Sequence, residues 1–423
     1  MGKVEEVIKT VEGQGVEFVQ LQFMSIDGRV KSMTIHVSQF GEAIEEGWGF
    51  DGSSVPGYAD IEESDLVLMP DLDTFRTLPW KYRGKRMARV LCDVCLPDGT
   101  PHGGDPRYVL ENMLRSAERR GYKFFVGLEV EFYIFKGGKE PLDEGGYLDY
   151  APYDKGEELR IGLASDLQRM GILVEKIHHE VSPGQYELDF RYSDALTTAD
   201  HFVLCRQALK ALGEEYRLHV DYSPKPLPGG MGNGLHCHHS LADSKGKNLF
   251  YDPSGEYRMS ELARHFMAGE LEHAPALTAL AASVPDSYER LVPGYEAPVY
   301  VCWGGPNRSV LVRVPGYEVR RGSGMRFEYR APDPLCNTHL LFAGLLAAGL
   351  DGIKRKLPLG PPVTENVYKM SEKRREELGI STLPKSLDEA LDALESDDVI
   401  REALGPFMFE KYVALKREEA IRS

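Results

Sequence analysis

The sequence predicts an α+β protein in two parts, on three observations. Strand-like alternation at Phe18 to Ile35 and at Arg86 to Val94 stands near the N-terminus with one short helix. Apolar strand-like segments at 124–135, 178–190 and 235–241 alternate with amphipathic helical stretches in the middle of the chain. Helical patterns then dominate the C-terminal third.

Residues 2–13 form the first helix, ending at Gly13. Val19, Leu21 and Phe23 alternate on one face of the next segment, and Asp27-Gly28 is a hairpin signal. Phe50-Asp-Gly-Ser-Ser-Val-Pro-Gly57 is too rich in Gly, Ser and Pro to be core and reads as a long functional loop. Pro101-His-Gly-Gly-Asp105 marks the boundary between a small domain, residues 1–102, and a larger one, residues 103–423. Asp105-Pro106 opens a helix as N-cap and first-turn proline, running to Gly121. A helix over 157–170 stops at Gly171, and His178 to Phe190 reads as strand, tight turn, strand. A helix follows over 198–217, then a Pro- and Gly-rich loop, Pro224 to Gly234, leads into the segment from Leu235 to Leu241. Further helices lie near 260–282, 337–357 and 386–403, the last opened by a Ser386/Glu389 capping box. A final helix begins near Pro406.

The formal net charge of −16 argues against nucleic acid and anionic membranes as partners. An anionic substrate stays open, because local arginine clusters override the global sign. Six cysteines without a dense framework suit a reducing compartment. Cys92 and Cys95 form a lone CxxC that would face opposite ways on a strand, a poor zinc site. The N-terminus has no apolar core like that of a signal peptide, and no apolar run reaches membrane-spanning length. The expectation is a soluble, cytoplasmic protein.

Four strand-like segments repeat one pattern, ionisable side chains set two apart or across a turn among apolar neighbours. They are Glu129/Glu131, His236/His238, Arg326/Glu328/Arg330, and the pair Glu180 and Glu187. Residues two apart on a strand share a face. Buried like charges need a cation or a basic partner between them. The alternative for Glu129/Glu131 is an edge strand with solvated glutamates. For the Arg/Glu/Arg trio it is a structural ion-pair ladder, and for a lone His236 a core histidine. His178 and His179, being adjacent and so on opposite faces, read as structural. Four such segments in one chain point to a single polar surface lining a channel or barrel. Carboxylates with histidine suit Mg²⁺ or Mn²⁺, and flanking arginines suit a transferring phosphoryl group. Arg290 and Arg308 bracket Val292-Pro-Gly-Tyr-Glu-Ala-Pro298, a shaped flap with Glu296 at its centre.

These motifs resemble the type I glutamine synthetase family across nearly the whole chain. They are Phe50-Asp-Gly-Ser-Ser54, Glu62-Glu-Ser-Asp65, Glu129-Val-Glu131, His179-Glu-Val-Ser-Pro-Gly-Gln-Tyr-Glu187, Lys225-Pro, Gly234-Leu-His-Cys-His238, the flap, Asn307-Arg308 and Glu328-Tyr-Arg330. The resemblance implies a small N-terminal β-grasp-like domain. It also implies a larger catalytic domain whose curved antiparallel sheet, a half-barrel, is backed by helices. It implies ATP-dependent ligation of ammonia to the γ-carboxylate of glutamate through γ-glutamyl phosphate. Glu131, Glu180 and Glu187 would hold one cation, and Glu129, His236 and Glu328 a second, with two or three Mg²⁺ or Mn²⁺ per site. Arg290, Arg308 and Arg330 would contact glutamate and the phosphoryl group, with Glu131 and Gly232 on the glutamate side. Glu175, His238, Ser240, Arg313 and Arg326 fall where the family binds ATP. Asp51, with Ser54 and Tyr147, falls where ammonium is bound and deprotonated, and Glu296 shields the acyl phosphate. Active sites between subunits of a hexameric ring, alone or as two stacked rings, complete the picture. The apolar Phe50, Val55 and Tyr58 of the Asp51 loop would seek a partner surface.

Several positions depart from the family pattern. Met231 replaces an asparagine that holds the α-amino end of glutamate, and Asn233 is the candidate to compensate. A lysine used near ATP has no match around Ser323. Asp60 replaces an arginine of feedback control in one subgroup. The insertion of the adenylylated subgroup is missing, and Lys369 instead of an acid follows Tyr368. The chain ends at Ser423, before the tail that clasps the opposite ring, so the ring is implied more directly than the stack. Two rival readings remain: a ligase joining glutamate to an organic amine, and a non-catalytic nitrogen-sensing relative.

Overall fold

The computed structural model describes residues 2–316 and 324–422. The Ser323 position lies outside the described residues.

The chain begins with α1 (Lys3–Gln14) and the hairpin β1 (Phe18–Met24) and β2 (Val30–His36), followed by α2 (Phe40–Glu46). Then come β3 (Trp48–Asp51), β4 (Asp65–Tyr82) and β5 (Lys85–Cys95). These strands form one sheet in the order β2-β1-β5-β4-β3, with β1 and β5 parallel and the other pairs antiparallel. The sequence analysis assigned no element to β4, whose Pro70 and Pro79 are unusual inside a strand. β3 pairs only with residues 65–68, so that side of β4 is unpaired at Pro70, and Pro79 falls in a register irregularity between Thr77 and Lys81.

The second part opens with α3 (Pro106–Glu118), where Asp105 caps as expected by accepting from the Arg107 N–H. It continues through β6 (Lys123–Gly137), β7 (Glu140–Pro141), α4 (Glu157–Arg169), β8 (Val174–His179), β9 (Gln185–Asp194), α5 (Ala195–Tyr216), β10 (His219–Asp221) and β11 (Leu235–Ala242). After α6 (Glu261–Glu272), α7 (Ala274–Ala281) and α8 (Ser287–Arg290) come β12 (Trp303–Gly304), β13 (Val312–Arg313) and β14 (Phe327–Tyr329). Helices α9 (Thr338–Arg355), α10 (Glu372–Glu377), α11 (Leu387–Glu395), α12 (Asp398–Leu404) and α13 (Pro406–Arg422) finish the chain. The sheet order is β12-β13-β14-β11-β6-β9-β8, with β7 and β10 also on β6. It is an open sheet among the described residues. One correction to an all-antiparallel sheet is that β12 and β13 run parallel. At α11, Ser386 accepts from the Glu389 N–H as the capping box requires, but the Glu389 carboxylate turns to the N–H of Lys385 instead of Ser386.

The two parts are pinned together by polar side chains. Arg107 on α3 is buried and pairs with Asp71 of β4, Asp93 of β5 and, at 3.1 Å, Asp200 of α5. The Asn337 amide donates to the carbonyls of Ser25 and Ile26 in the first hairpin. The Asp51 loop differs from expectation. Tyr58 is fully buried and its hydroxyl donates to Met24, Val55 is buried, and Phe50 packs on Phe23 at 5.0 Å. These apolar residues have their partner in their own core, so they are no argument for a neighbouring subunit.

Candidate active site

β6 is the spine of the site. It lies centrally in the sheet, so the edge-strand alternative for Glu129 and Glu131 fails. Residues directly opposite in antiparallel strands project to the same face. Register sets His236 of β11 and Asp189 of β9 opposite Glu129, and Glu187 opposite Glu131. It also sets His178 opposite Glu187, Lys176 opposite Asp189, and His238 opposite Glu328, which in turn faces Arg313. The chain thus lays acids, imidazoles and cations side by side across six strands.

The contacts follow the register. Nδ1 of His236 lies 3.0 Å from Oε2 of Glu129, and Nε2 lies 3.9 Å from Oε1 of Glu131. His238 Nε2 is 2.8 Å from Glu129 Oε1, and Arg326 donates to its other nitrogen at 3.1 Å. Glu131 accepts from the Gly234 N–H at 2.8 Å. Glu328 has no exposed surface and lies between the guanidinium groups of Arg313 and Arg330. Burial works to raise its pKa, but Arg330 prevails and holds it at about 2. His178 is 3.2 Å from Glu187 and 3.8 Å from Glu180.

Two sets of ligand atoms converge within 4.8 Å: Glu129, His238 and Glu328, and His178, Glu180 and Glu187. They fit divalent cations on an observation independent of spacing. Glu180 is pushed up to about 8, first by burial and then by Glu131 and Glu187, a sign of uncompensated negative charge. A hard cation with oxygen ligands removes that cost. These sets overlap the expected ones and add an imidazole to each. His238, expected at the nucleotide, joins the first group through Glu129, while His236 lies 3.0 Å from Glu129, 3.8 Å from Glu328 and 3.9 Å from Glu131. His178, read as structural, faces the carboxylates. Its neighbour His179 is the core residue, fully buried with Nε2 at 2.8 Å from Asp143.

A narrow cleft over this floor is lined by Glu131, Glu180, Glu187, His236, Gly232, Met231, Arg290, Glu296, Arg308 and Arg330. Gly232 is required there: a Cβ would lie 2.7 Å from both Arg290 Cγ and the Pro224 carbonyl. Arg290 is buried and donates to the carbonyls of Ala331 and Arg330, so it shapes the wall. Arg330 also donates to the Glu296 carbonyl at 3.0 Å. Glu296 sits at φ 54 on the exposed flap, which Tyr368 anchors by donating to the Ala297 carbonyl. Arg308 is exposed and has no polar partner among the described residues. Met231 lines this cleft, but Asn233 does not compensate for it. The Asn233 amide is buried and donates to the carbonyls of Asp221 and Ser223.

A second cleft, about 410 Å³, is lined by Glu175, His238, Ser240 and Arg326 together with Lys176, Asp189 and Tyr192. Arg313 is absent from it, drawn instead to Glu328. Asp51 and Ser54 line neither cleft; the two side chains bond one another, with Ser54 donating to Asp51 at 2.7 Å. Hydrogen bonds from Ser53 and Ser54 lower the Asp51 pKa. Tyr147 does reach the site rim, its ring edge-on to His178 at 5.5 Å.

Sequence reasoning missed Lys176, His178 and Asp189 as site residues. The signal existed, since Lys176/His178 and Glu187/Asp189 are further pairs set two apart.

Fold and floor together define a two-sheet α+β protein with a carboxylate-lined cation site. The sequence matches "Glutamine synthetase, beta-Grasp domain" over residues 15–97 and "Glutamine synthetase, catalytic domain" over residues 103–422. The chain belongs to the glutamine synthetase family. The glutamine synthetase of Thermotoga maritima is 48% identical over 416 residues, covering 97% of this chain and 94% of the relative. That of Methanosarcina mazei is 44% identical over 421 residues, covering 98% and 93%. Among solved structures, a GmaS/ADP complex superposes with a TM-score of 0.89 at 27% identity, covering 98% of this chain and 96% of that one. The glutamine synthetase of Plasmodium falciparum, solved by cryo-electron microscopy, gives 0.89 at 26% identity, covering 100% and 96%. Among the described residues, no helix is long and apolar enough to cross a membrane.

Proposed function

We propose that the protein is an ATP-dependent glutamate–ammonia ligase, forming glutamine, ADP and phosphate by way of γ-glutamyl phosphate. The observation that carries this is the registered row of carboxylates and imidazoles across β8, β9, β6, β11 and β14, with an arginine-walled cleft on one side and a larger cleft on the other. The whole-length likeness to curated glutamine synthetases supports it. The chain is read as two domains, residues 1–102 and 103–423.

In this reading Glu131, Glu180 and Glu187, with His178 beside them, hold one Mg²⁺ or Mn²⁺. Glu129, Glu328 and the imidazoles of His236 and His238 hold another. Such ions supply neutralising charge to a phosphoryl group in transfer. Glutamate occupies the narrow cleft over Gly232, between Arg290 and Arg330. Arg308, without a polar partner among the described residues, turns to the transferring phosphoryl group. ATP lies in the larger cleft against Glu175, Ser240 and Arg326. Glu296 closes the flap over the acyl phosphate and keeps water out. Asp51, Ser54 and Tyr147 gather ammonium. The lowered pKa of Asp51 suits it to hold a cation, and a drier subunit contact would let it take the proton. The protein then works as a cytoplasmic homo-oligomer with sites between subunits, a hexameric ring alone or stacked in pairs.

The test is ATP-dependent phosphate release with glutamate and a panel of amines. Ammonium should give the highest kcat/KM, well above methylamine or putrescine. A better organic amine would replace ammonia as the substrate, and no turnover with any amine would make the protein a non-catalytic relative.

A further inference from the structure

A third group of carboxylates joins the two cation groups. Glu129 of the one and Glu187 of the other bring oxygens within 4.8 Å of each other and of Asp189. The register accounts for it: Glu129 faces Asp189 across β6 and β9, and Glu187 precedes Asp189 by two residues on the same face. Asp189 is 8% exposed, and its Oδ1 is buried with no hydrogen-bond partner. Three acids this close repel unless a cation stands among them. That cation is in the chain. Lys176 arrives from β8 directly opposite Asp189. Its Nζ lies 2.8 Å from Asp189, 2.9 Å from Glu187 and 4.0 Å from Glu129. An ammonium is a compact point charge with three donors, suited to three carboxylates at once.

We propose that Lys176 is the resident cation of this third acidic group, holding the position a third divalent ion would otherwise take, so that the site binds two divalent ions per chain. The inference rests on the metal-dependent ligase reading above. It narrows that reading, because Glu129 and Glu187 each already serve one ion and a third would sit between them.

Equilibrium dialysis of the full-length protein against Mn²⁺ alone counts the ions, with circular dichroism as a check on folding. The wild type should bind two Mn²⁺ per chain, and Lys176→Met should bind three. Lys176→Arg, which keeps the charge, should bind two. The double variant Lys176→Met/Asp189→Asn, which removes a ligand of the new site, should return to two. Lys176→Gln serves as the second neutral variant should the methionine variant fail to fold. Three ions in the wild type, or two in both neutral variants, would overturn the role of Lys176 while leaving the ligase reading intact. No Mn²⁺ bound to the wild type would overturn both.

Discussion

Glu129 on β6 faces His236 on β11 across the antiparallel pair, with Oε2 3.0 Å from Nδ1. Its other oxygen meets His238 at 2.8 Å. One carboxylate is thus held by two imidazoles from a single neighbouring strand, which fixes both of its oxygens before any ligand arrives.

Loss of that carboxylate, or of Glu131 or Glu328, should remove activity with the fold retained. Outer partners of metal ligands typically cost 10–100-fold, so Glu129→Ala, Glu131→Ala and Glu328→Ala should each exceed about 100-fold. Each should also weaken Mn²⁺ binding in a calorimetric titration. Unchanged stoichiometry and affinity in all three would sink the assignment. Glu328→Ala carries an added cost, because Arg313 and Arg330 lose their shared buried partner.

Glu296→Ala should raise the ratio of ATP hydrolysed to amide formed, because water reaches the acyl phosphate. The left-handed backbone at this position is equally strained for glutamate and alanine, so the side chain is what the substitution tests. A slower but fully coupled variant would give Glu296 another role.

Two inactive variants, Asp51→Ala and Glu328→Ala, test the assembly. Asp51 lies on the first sheet and Glu328 on the second. If the Asp51 loop completes a neighbour's site, co-expression should recover part of the activity that neither parent shows. Hetero-oligomers verified by mass spectrometry yet devoid of activity would place the complete site within one chain, as would an active monomer in light scattering.

Stability should carry a pH signature at His273, which sits 2.6 Å from Asp397 and 3.1 Å from Asp351. Burial works to lower its pKa, but the two carboxylates prevail and raise it. A raised histidine pKa contributes stability in full below the unfolded value of about 6.5, and that contribution is lost as pH rises through the folded value. The Tm gap between wild type and His273→Gln should therefore be wider near pH 6 than near pH 9 by scanning calorimetry. A gap independent of pH would show that His273 contributes packing alone.

The sequence by itself determined the class of fold, the helices with their caps, and most of the acidic floor. Those signals are local: a period of two on a strand, a proline after an N-cap, a charge among apolar neighbours. Strand register was legible only in part. Glu129 and Glu131 announce a shared face, but which imidazole meets which carboxylate depends on how β11 and β14 align on β6. That is why His238 was expected only at the nucleotide although it also meets Glu129, and why Arg313 was placed at the nucleotide instead of on Glu328. Lys176 and Asp189 went unnoticed because each is an ordinary surface-type residue until β8 and β9 pair. The burial of Val55 and Tyr58, and the diversion of the Asn233 amide into its own loop, were likewise settled by tertiary contacts. A side chain takes the nearest partner that packing offers, and proximity between distant segments is a property of the folded chain.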